Sequence, residues 1–215
     1  MRAAIFLNGA PDSERLIQAV VGPANLVIAA DGGARYALSA GIVPDLIVGD
    51  MDSLGEDLAR DIEGRGAELQ HHPARKDKMD GHLAVLAARE RGATAADFLC
   101  AVGGEIGAVF AVPHILLAAE RIGLRSTVVA DWGRMFVIED DSRTVEGAAG
   151  ESVSVFPLSG LAKGVTLEGM SYPLKSAVLQ PGDTLGFHNE LVGRKAKVSV
   201  LNGTLLVVQE NARNP

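Results

Sequence analysis

Apolar residues along the first 130 positions fall into two alternating patterns. Short, nearly continuous apolar runs stand at "AAIFLNG" (3–9), "NLVIAAD" (25–31), "DLIVGD" (45–50), "AELQHH" (67–72), "DFLCAVGG" (97–104) and "STVVAD" (126–131). Most are rich in β-branched residues, which is how strands covered on both faces read. Between them lie stretches with helical spacing: "SERLIQAV" (13–20), "ARYALSAG" (34–41), "EDLARDIEG" (56–64), "MDGHLAVLAARERG" (79–92) and "AVFAVPHILLAAERIG" (108–123). Pro113 marks a start or a kink in the last of these, and Gly41, Gly64, Gly92 and Gly123 stand where helices end. Strand and helix in alternation predict an α/β fold with a doubly wound parallel sheet.

After Trp132 the helical period disappears. Short alternating strands follow at "MFVIED", "RTVEG", "ESVSVFPLS", "GVTLEGMSYPL", "DTLGFHN" and "KAKVSVLNGTLLVVQE", and "LNGT" (201–204) reads as an Asn-Gly hairpin turn. The pattern predicts two domains, an α/β domain over 1–132 and a small all-β sandwich or barrel over 133–215. No internal repeat interrupts either.

Composition narrows the function classes. Hydrophobic residues make up 47% of the chain and charged residues 22%, an ordinary globular balance. No apolar run reaches the roughly 20 residues of a membrane span, and the N-terminus turns polar too early for a signal peptide. One cysteine, Cys100, permits no internal disulfide. A cytoplasmic protein without a membrane partner is expected. The net charge of −7, with no basic stripe, argues against nucleic acid.

Ligands of open parallel sheets bind at the carboxyl ends of the strands, so the residues following each strand carry the chemistry. The second strand ends in Asp31-Gly32-Gly33-Ala34-Arg35, where glycines let backbone N–H groups approach a ligand; a tight turn capped by Asp31 is the plainer alternative. The third ends in Gly49-Asp50-Met51-Asp52-Ser53. Asp50 and Asp52 are hard oxygen ligands spaced to reach one magnesium ion, and helix capping accounts for only one of them. "ARKDKMD" follows the fourth, with Asp77 and Asp80 on one face of a helix start and Lys76 within reach of a phosphate. The fifth ends in Gly103-Gly104-Glu105. No P-loop and no G-x-S-x-G elbow is present.

The order "ADGGA…GIVPDLIVGDMDSL…KDKMD…VGG…SYPL…GFHNE" resembles the thiamine pyrophosphokinase (thiamine diphosphokinase) family over nearly the whole chain, most specifically from Asp31 to Leu54. That resemblance implies pyrophosphoryl transfer from ATP to thiamine, dependence on Mg2+, and a homodimer with thiamine near the subunit interface. By motif it gives metal-binding roles to Asp50, Asp52, Asp77 and Asp80, with Asp52 or Asp80 as proton acceptor. It places Asn189 and Glu190 near thiamine, with His188 where a serine is usual, while the strand-end residues Asp31, Gly32, Gly33, Lys76, Gly103 and Gly104 are expected to contact the nucleotide. The chain departs from the family's "GGRxDH" at Glu105, Gly107 and Ala108, and Arg35 is a candidate replacement for the missing cation. Two alternatives stay open at this point: a related pyrophosphokinase acting on another alcohol, such as a hydroxymethylpterin, and a binding protein that has lost catalysis.

Overall fold

The computed structural model describes residues 1–74 and 77–212, and the chain divides into two compact units, Met1–Asp131 and Trp132–Pro215. In the first unit strands and helices alternate as β1 (Arg2–Phe6), α1 (Glu14–Val21), β2 (Leu26–Ala30), α2 (Gly33–Ser39), β3 (Leu46–Gly49), α3 (Glu56–Gly64), β4 (Glu68–His71), α4 (Asp80–Glu90), β5 (Ala95–Leu99), α5 (Ile106–Arg121) and β6 (Arg125–Ala130). The strands lie in the order β6-β5-β1-β2-β3-β4 and every pairing among them is parallel. Ala3, Ala4, Ile5 and Phe6 are fully buried, as are Leu46, Ile47 and Val48, because both faces of the sheet are covered. One cover joins Ile17 of α1, Ala34 and Ala37 of α2 and Ile62 of α3 around Phe6 and Ile47. On the other, α4 packs on β2, β3 and α5, and α5 on β6. The helix α5 starts at Ile106 and runs through a buried Pro113, so that proline marks neither end of it.

The direction of winding reverses at β1. From β1 the chain steps outward to β2, β3 and β4, then returns to the opposite edge of β1 with β5. Phe6 pairs with Ala29 on one side and with Leu99 on the other. The reversal opens a crevice above the carboxyl ends of β1 and β5, the usual ligand position in such sheets.

The second unit is a sandwich. One sheet has the order β12 (Asn189–Glu190), β9 (Ser152–Pro157), β14 (Thr204–Glu210), β7 (Gly133–Glu139); the other has β11 (Leu174–Leu179), β10 (Ala162–Glu168), β13 (Lys195–Ser199), β8 (Ser142–Glu146). Phe136, Val155 and Val207 from the first meet Val145, Val165 and Val198 from the second in one core. Two expectations change here. The Asn-Gly at 202–203 joins β13 to β14, which belong to different sheets, so it is a crossover and not a hairpin turn. Backbone bonds between Lys163 and Asn202, and between Asp140 and Gly203, hold it in place. The predicted strand at 183–189 is largely turn, with only Asn189 and Glu190 paired, while β11 takes up the "LKSAVL" segment. Among the described residues no helix is long and apolar enough to cross a membrane.

Candidate functional site

The carboxyl ends of β1, β2, β3 and β5 supply the polar residues of one region. After β2, Asp31 takes a left-handed backbone (φ 42°) and its N–H donates to the Val48 carbonyl. Gly49 lets the two chains close up, since a Cβ there would stand 2.9 Å from Asp31 Cβ. Asp31 is therefore 8% exposed, and its buried Oδ1 accepts no hydrogen bond among the described residues. An uncompensated buried carboxylate oxygen is costly and points to a cationic partner.

Two further carboxylates supply the surroundings. Past Gly49 the chain turns through Met51 (φ 65°), which with Leu54 is buried in the core below. Asp50 and Asp52 are left on the upper side. Asp50 Oδ1 accepts from the Asp52 N–H at 3.3 Å, and the Ser53 hydroxyl donates to Asp52 Oδ1 at 3.3 Å. Asp31, Asp50 and Asp52 bring carboxylate oxygens within 4.8 Å of one another. Three hard anionic oxygens at that separation, one of them buried, suit Mg2+ or a similar divalent cation.

Beside this group lies a cavity of about 230 Å³ whose wall includes Asn8, Gly9, Asp31, Asp80, Ala101 and Ala108. Asp80 is the first residue of α4 and half-buried; Met79, in extended backbone (ψ 153°), precedes it. Asp77 lies ahead of the helix and is exposed, so the pair does not share a helix face as the spacing predicts. Neither joins the group of three among the described residues. Lys76 lies outside the described residues.

The glycines serve chiefly to let segments approach. A Cβ on Gly33 would stand 2.5 Å from the Phe6 carbonyl oxygen, and one on Gly32 would stand 2.6 Å from the Asn8 side chain. Gly103 (φ 108°) similarly abuts Ala10. These contacts seat the turns after β2 and β5 against the loop after β1. Gly104 is also left-handed (φ 74°) but exposed. Glu105 caps α5 in position without a side-chain cap bond and is exposed. Arg35 donates from Nε to the Ser53 carbonyl at 3.0 Å, and a terminal nitrogen donates to the Ser53 and Leu54 carbonyls. Its guanidinium is thus engaged with the loop that carries Asp50 and Asp52.

The loop after β1 carries site residues that the acid and glycine motifs of the later strand ends do not point to. Asn8 and Gly9 line the cavity, and Asp12 ties the neighbouring strand ends together. Asp12 accepts from the Cys100 N–H at 2.6 Å and from the Asp131 N–H at 3.4 Å, while Asp131 receives both the N–H and the hydroxyl of Ser13 at 2.6 Å. Burial raises the Asp12 pKa above its ordinary value, and burial also lifts the Cys100 thiol to about 11, with Asp12 beside it adding to the effect. In the sequence this loop is marked by its place at the end of the first strand of a parallel sheet, where glycine, proline and an acid follow an apolar run.

In the second unit Asn189 is buried and its amide is spent on the backbone of Tyr172, accepting its N–H at 2.9 Å and donating to its carbonyl at 2.6 Å. His188 is left-handed (φ 58°) and exposed, with its ring 5.4 Å from that of Phe187, and Glu190 is exposed. Phe187, beside His188 in the chain, and Tyr172, held by Asn189, are large exposed aromatic side chains.

Residues 17–126, just over half of the chain, match the family model described as thiamin pyrophosphokinase, catalytic domain, and residues 140–205 match thiamin pyrophosphokinase, vitamin B1 binding domain. The chain is 26% identical over 185 residues to the thiamine pyrophosphokinase of Bacillus subtilis (strain 168), covering 86% of each. The crystal structure of a thiamin pyrophosphokinase from Geobacillus thermodenitrificans superposes with a TM-score of 0.81 at 26% identity, covering 100% of this chain and 99% of that one. The thiamine pyrophosphokinase structure from Bacillus subtilis has the same fold, with a TM-score of 0.83 at 24% identity over 98% of this chain and 99% of that one. Matched along its length by both domain models, the chain belongs to the thiamin pyrophosphokinase family.

Proposed function

We propose that this chain transfers the pyrophosphoryl group of ATP to the hydroxyl of thiamine, giving thiamine diphosphate and AMP, and that it does so with Mg2+ held by Asp31, Asp50 and Asp52. The observation that carries the metal assignment is the Asp31 carboxylate, which brings an oxygen within 4.8 Å of oxygens of Asp50 and Asp52 and keeps a buried Oδ1 without a hydrogen bond among the described residues. Bound there, the cation supplies charge neutralisation for the phosphate oxygens, the main demand of phosphoryl-type transfer. The chain's own residues do the rest. Asp80, on the wall of the adjoining cavity, takes the proton of the thiamine hydroxyl as its oxygen bonds to the β-phosphorus. The bond from that phosphorus to the α–β bridging oxygen breaks, and AMP leaves with the electron pair. Asp77 stands in reserve for the metal. The turns at Gly32–Gly33 and Gly103–Gly104, with Lys76, bind the nucleotide. His188, Asn189 and Glu190 form the thiamine-binding element, in which Asn189 acts by fixing Tyr172. A cytoplasmic homodimer completes the reading.

The test is to incubate the purified chain with ATP, Mg2+ and thiamine and to separate the products by chromatography. Equal amounts of AMP and thiamine diphosphate are expected, with turnover lost on omission of Mg2+ and in Asp52→Asn. Intact ATP alongside calorimetric thiamine binding would overturn the catalytic reading in favour of a binding protein, which the Glu105, Gly107 and Ala108 loop favours. Consumption of a hydroxymethylpterin in place of thiamine would overturn the acceptor.

A further inference from the structure

We infer that Arg35 is a positioning residue that sets the cation affinity of the acidic loop. The inference rests on the metal reading above and adds a residue that touches neither the reacting atoms nor the cation. The loop from Asp50 to Gly55 leaves β3 with two left-handed residues, Met51 (φ 65°) and Gly55 (φ 77°). Its underside is fixed by the buried side chains of Met51 and Leu54. Among the described residues its own backbone closes through the Leu54 and Gly55 N–H groups, both donating to the Met51 carbonyl. The carbonyls of Ser53 and Leu54 are taken by the Arg35 guanidinium.

The placement of Arg35 gives this clamp its meaning. Asp31 and Arg35 flank one turn: Arg35 donates its own N–H to the Gly32 carbonyl, and Ala34 donates to that of Asp31. One short segment therefore presents the third carboxylate and grips the loop that bears the other two. Any drift of the loop away from Asp31 must break the guanidinium bonds. The fork geometry matters, because a planar guanidinium reaches two carbonyls at once where an ammonium is a single point of charge. Arg35 is exposed, so removing its side chain leaves no hole in the core beneath α2, which is filled by Ala34 and Ala37.

The experiment is Mn2+ binding to the full chain without nucleotide, followed by electron paramagnetic resonance, for wild type, Arg35→Ala and Arg35→Lys. Outer residues that orient metal ligands typically change affinity about 10–100-fold. The dissociation constant is expected to rise about 10-fold or more in Arg35→Ala and to recover only partly in Arg35→Lys. The Mg2+ concentration for half-maximal turnover should rise in parallel, while kcat at saturating Mg2+ falls less. Wild-type affinity in Arg35→Ala overturns this inference alone. A wild-type chain that binds no Mn2+ overturns the metal reading and the inference with it.

Discussion

Replacing Asp31 by asparagine should move stability and metal response in opposite directions. Without a cation, Asp31 lies within 4.8 Å of two other carboxylates and its Oδ1 receives no hydrogen bond among the described residues. At 4.8 Å a pair of like charges repels by about 3.5 kcal/mol at an effective dielectric of 20 and by about 0.9 kcal/mol in bulk water. Asp50 is half-buried and Asp52 exposed, so the aqueous end of that range governs much of the sum. Asp31→Asn removes two such repulsions and offers its amide N–H to the remaining carboxylates, a relief of about 1–2 kcal/mol. For a chain of this size each kcal/mol moves the melting temperature by about 2–4 °C, so the metal-free variant should melt about 2–8 °C higher than wild type. With Mg2+ at 100 times its dissociation constant, wild type should gain about 2.7 kcal/mol, or about 5–10 °C. The variant should gain little of that. Thermal melts with chelator and with excess Mg2+ read both effects. A variant that melts several degrees lower without metal would refute the repulsion among the three carboxylates, and one that keeps the full Mg2+-induced rise would refute Asp31 as a ligand.

Two other features give clear expectations. Asp97 is 4% exposed within β5 and is held through both oxygens by Arg2, at 2.5 and 2.7 Å, while the Arg2 side chain is 51% exposed. Breaking a buried pair costs roughly 3–5 kcal/mol; discounting for the exposed arginine, Arg2→Ala should lose about 2 kcal/mol in a urea titration, and a loss under about 0.5 kcal/mol would refute the ion pair's weight. Cys100 is buried, with its thiol at about 11. It should resist alkylation in the native chain at pH 8 and label fully in denaturant, whereas rapid native labelling would show that the loop above it opens.

Much of the first unit is legible in the sequence because period is a local property. Continuous apolar runs such as Leu46-Ile47-Val48 announce a strand buried on both faces, and the acids after Gly49 stand out against it. Asp31 is harder to assign to the same group. Eighteen residues lie between it and Asp50, and only the parallel pairing of β2 with β3, Ala30 opposite Val48, brings the two together. The role of Arg35 is hidden for the same reason, since its partners are backbone carbonyls that no residue type advertises. The Asn-Gly at 202–203 shows the opposite failure. Its local chemistry suits a hairpin, but the sheet joined by each flanking strand is decided by the packing of Val198 and Val207 into the shared core.

The reversal of winding at β1 has a consequence for synthesis. Strand β2 can dock against one edge of β1 as it emerges, with β3 and β4 adding beyond it in turn, and all three carboxylates exist once residue 52 has been made. The other edge of β1 has no partner until β5, Ala95–Leu99, follows it. At translation rates of about 5–20 residues per second, the backbone of Ala3–Phe6 waits on the order of 5–20 s with one row of hydrogen-bonding groups unpaired. An unpaired strand edge of apolar residues is a template for pairing with other chains. The β1 edge that β5 covers in the finished sheet is thus, in the nascent chain, the place most in need of a chaperone's cover.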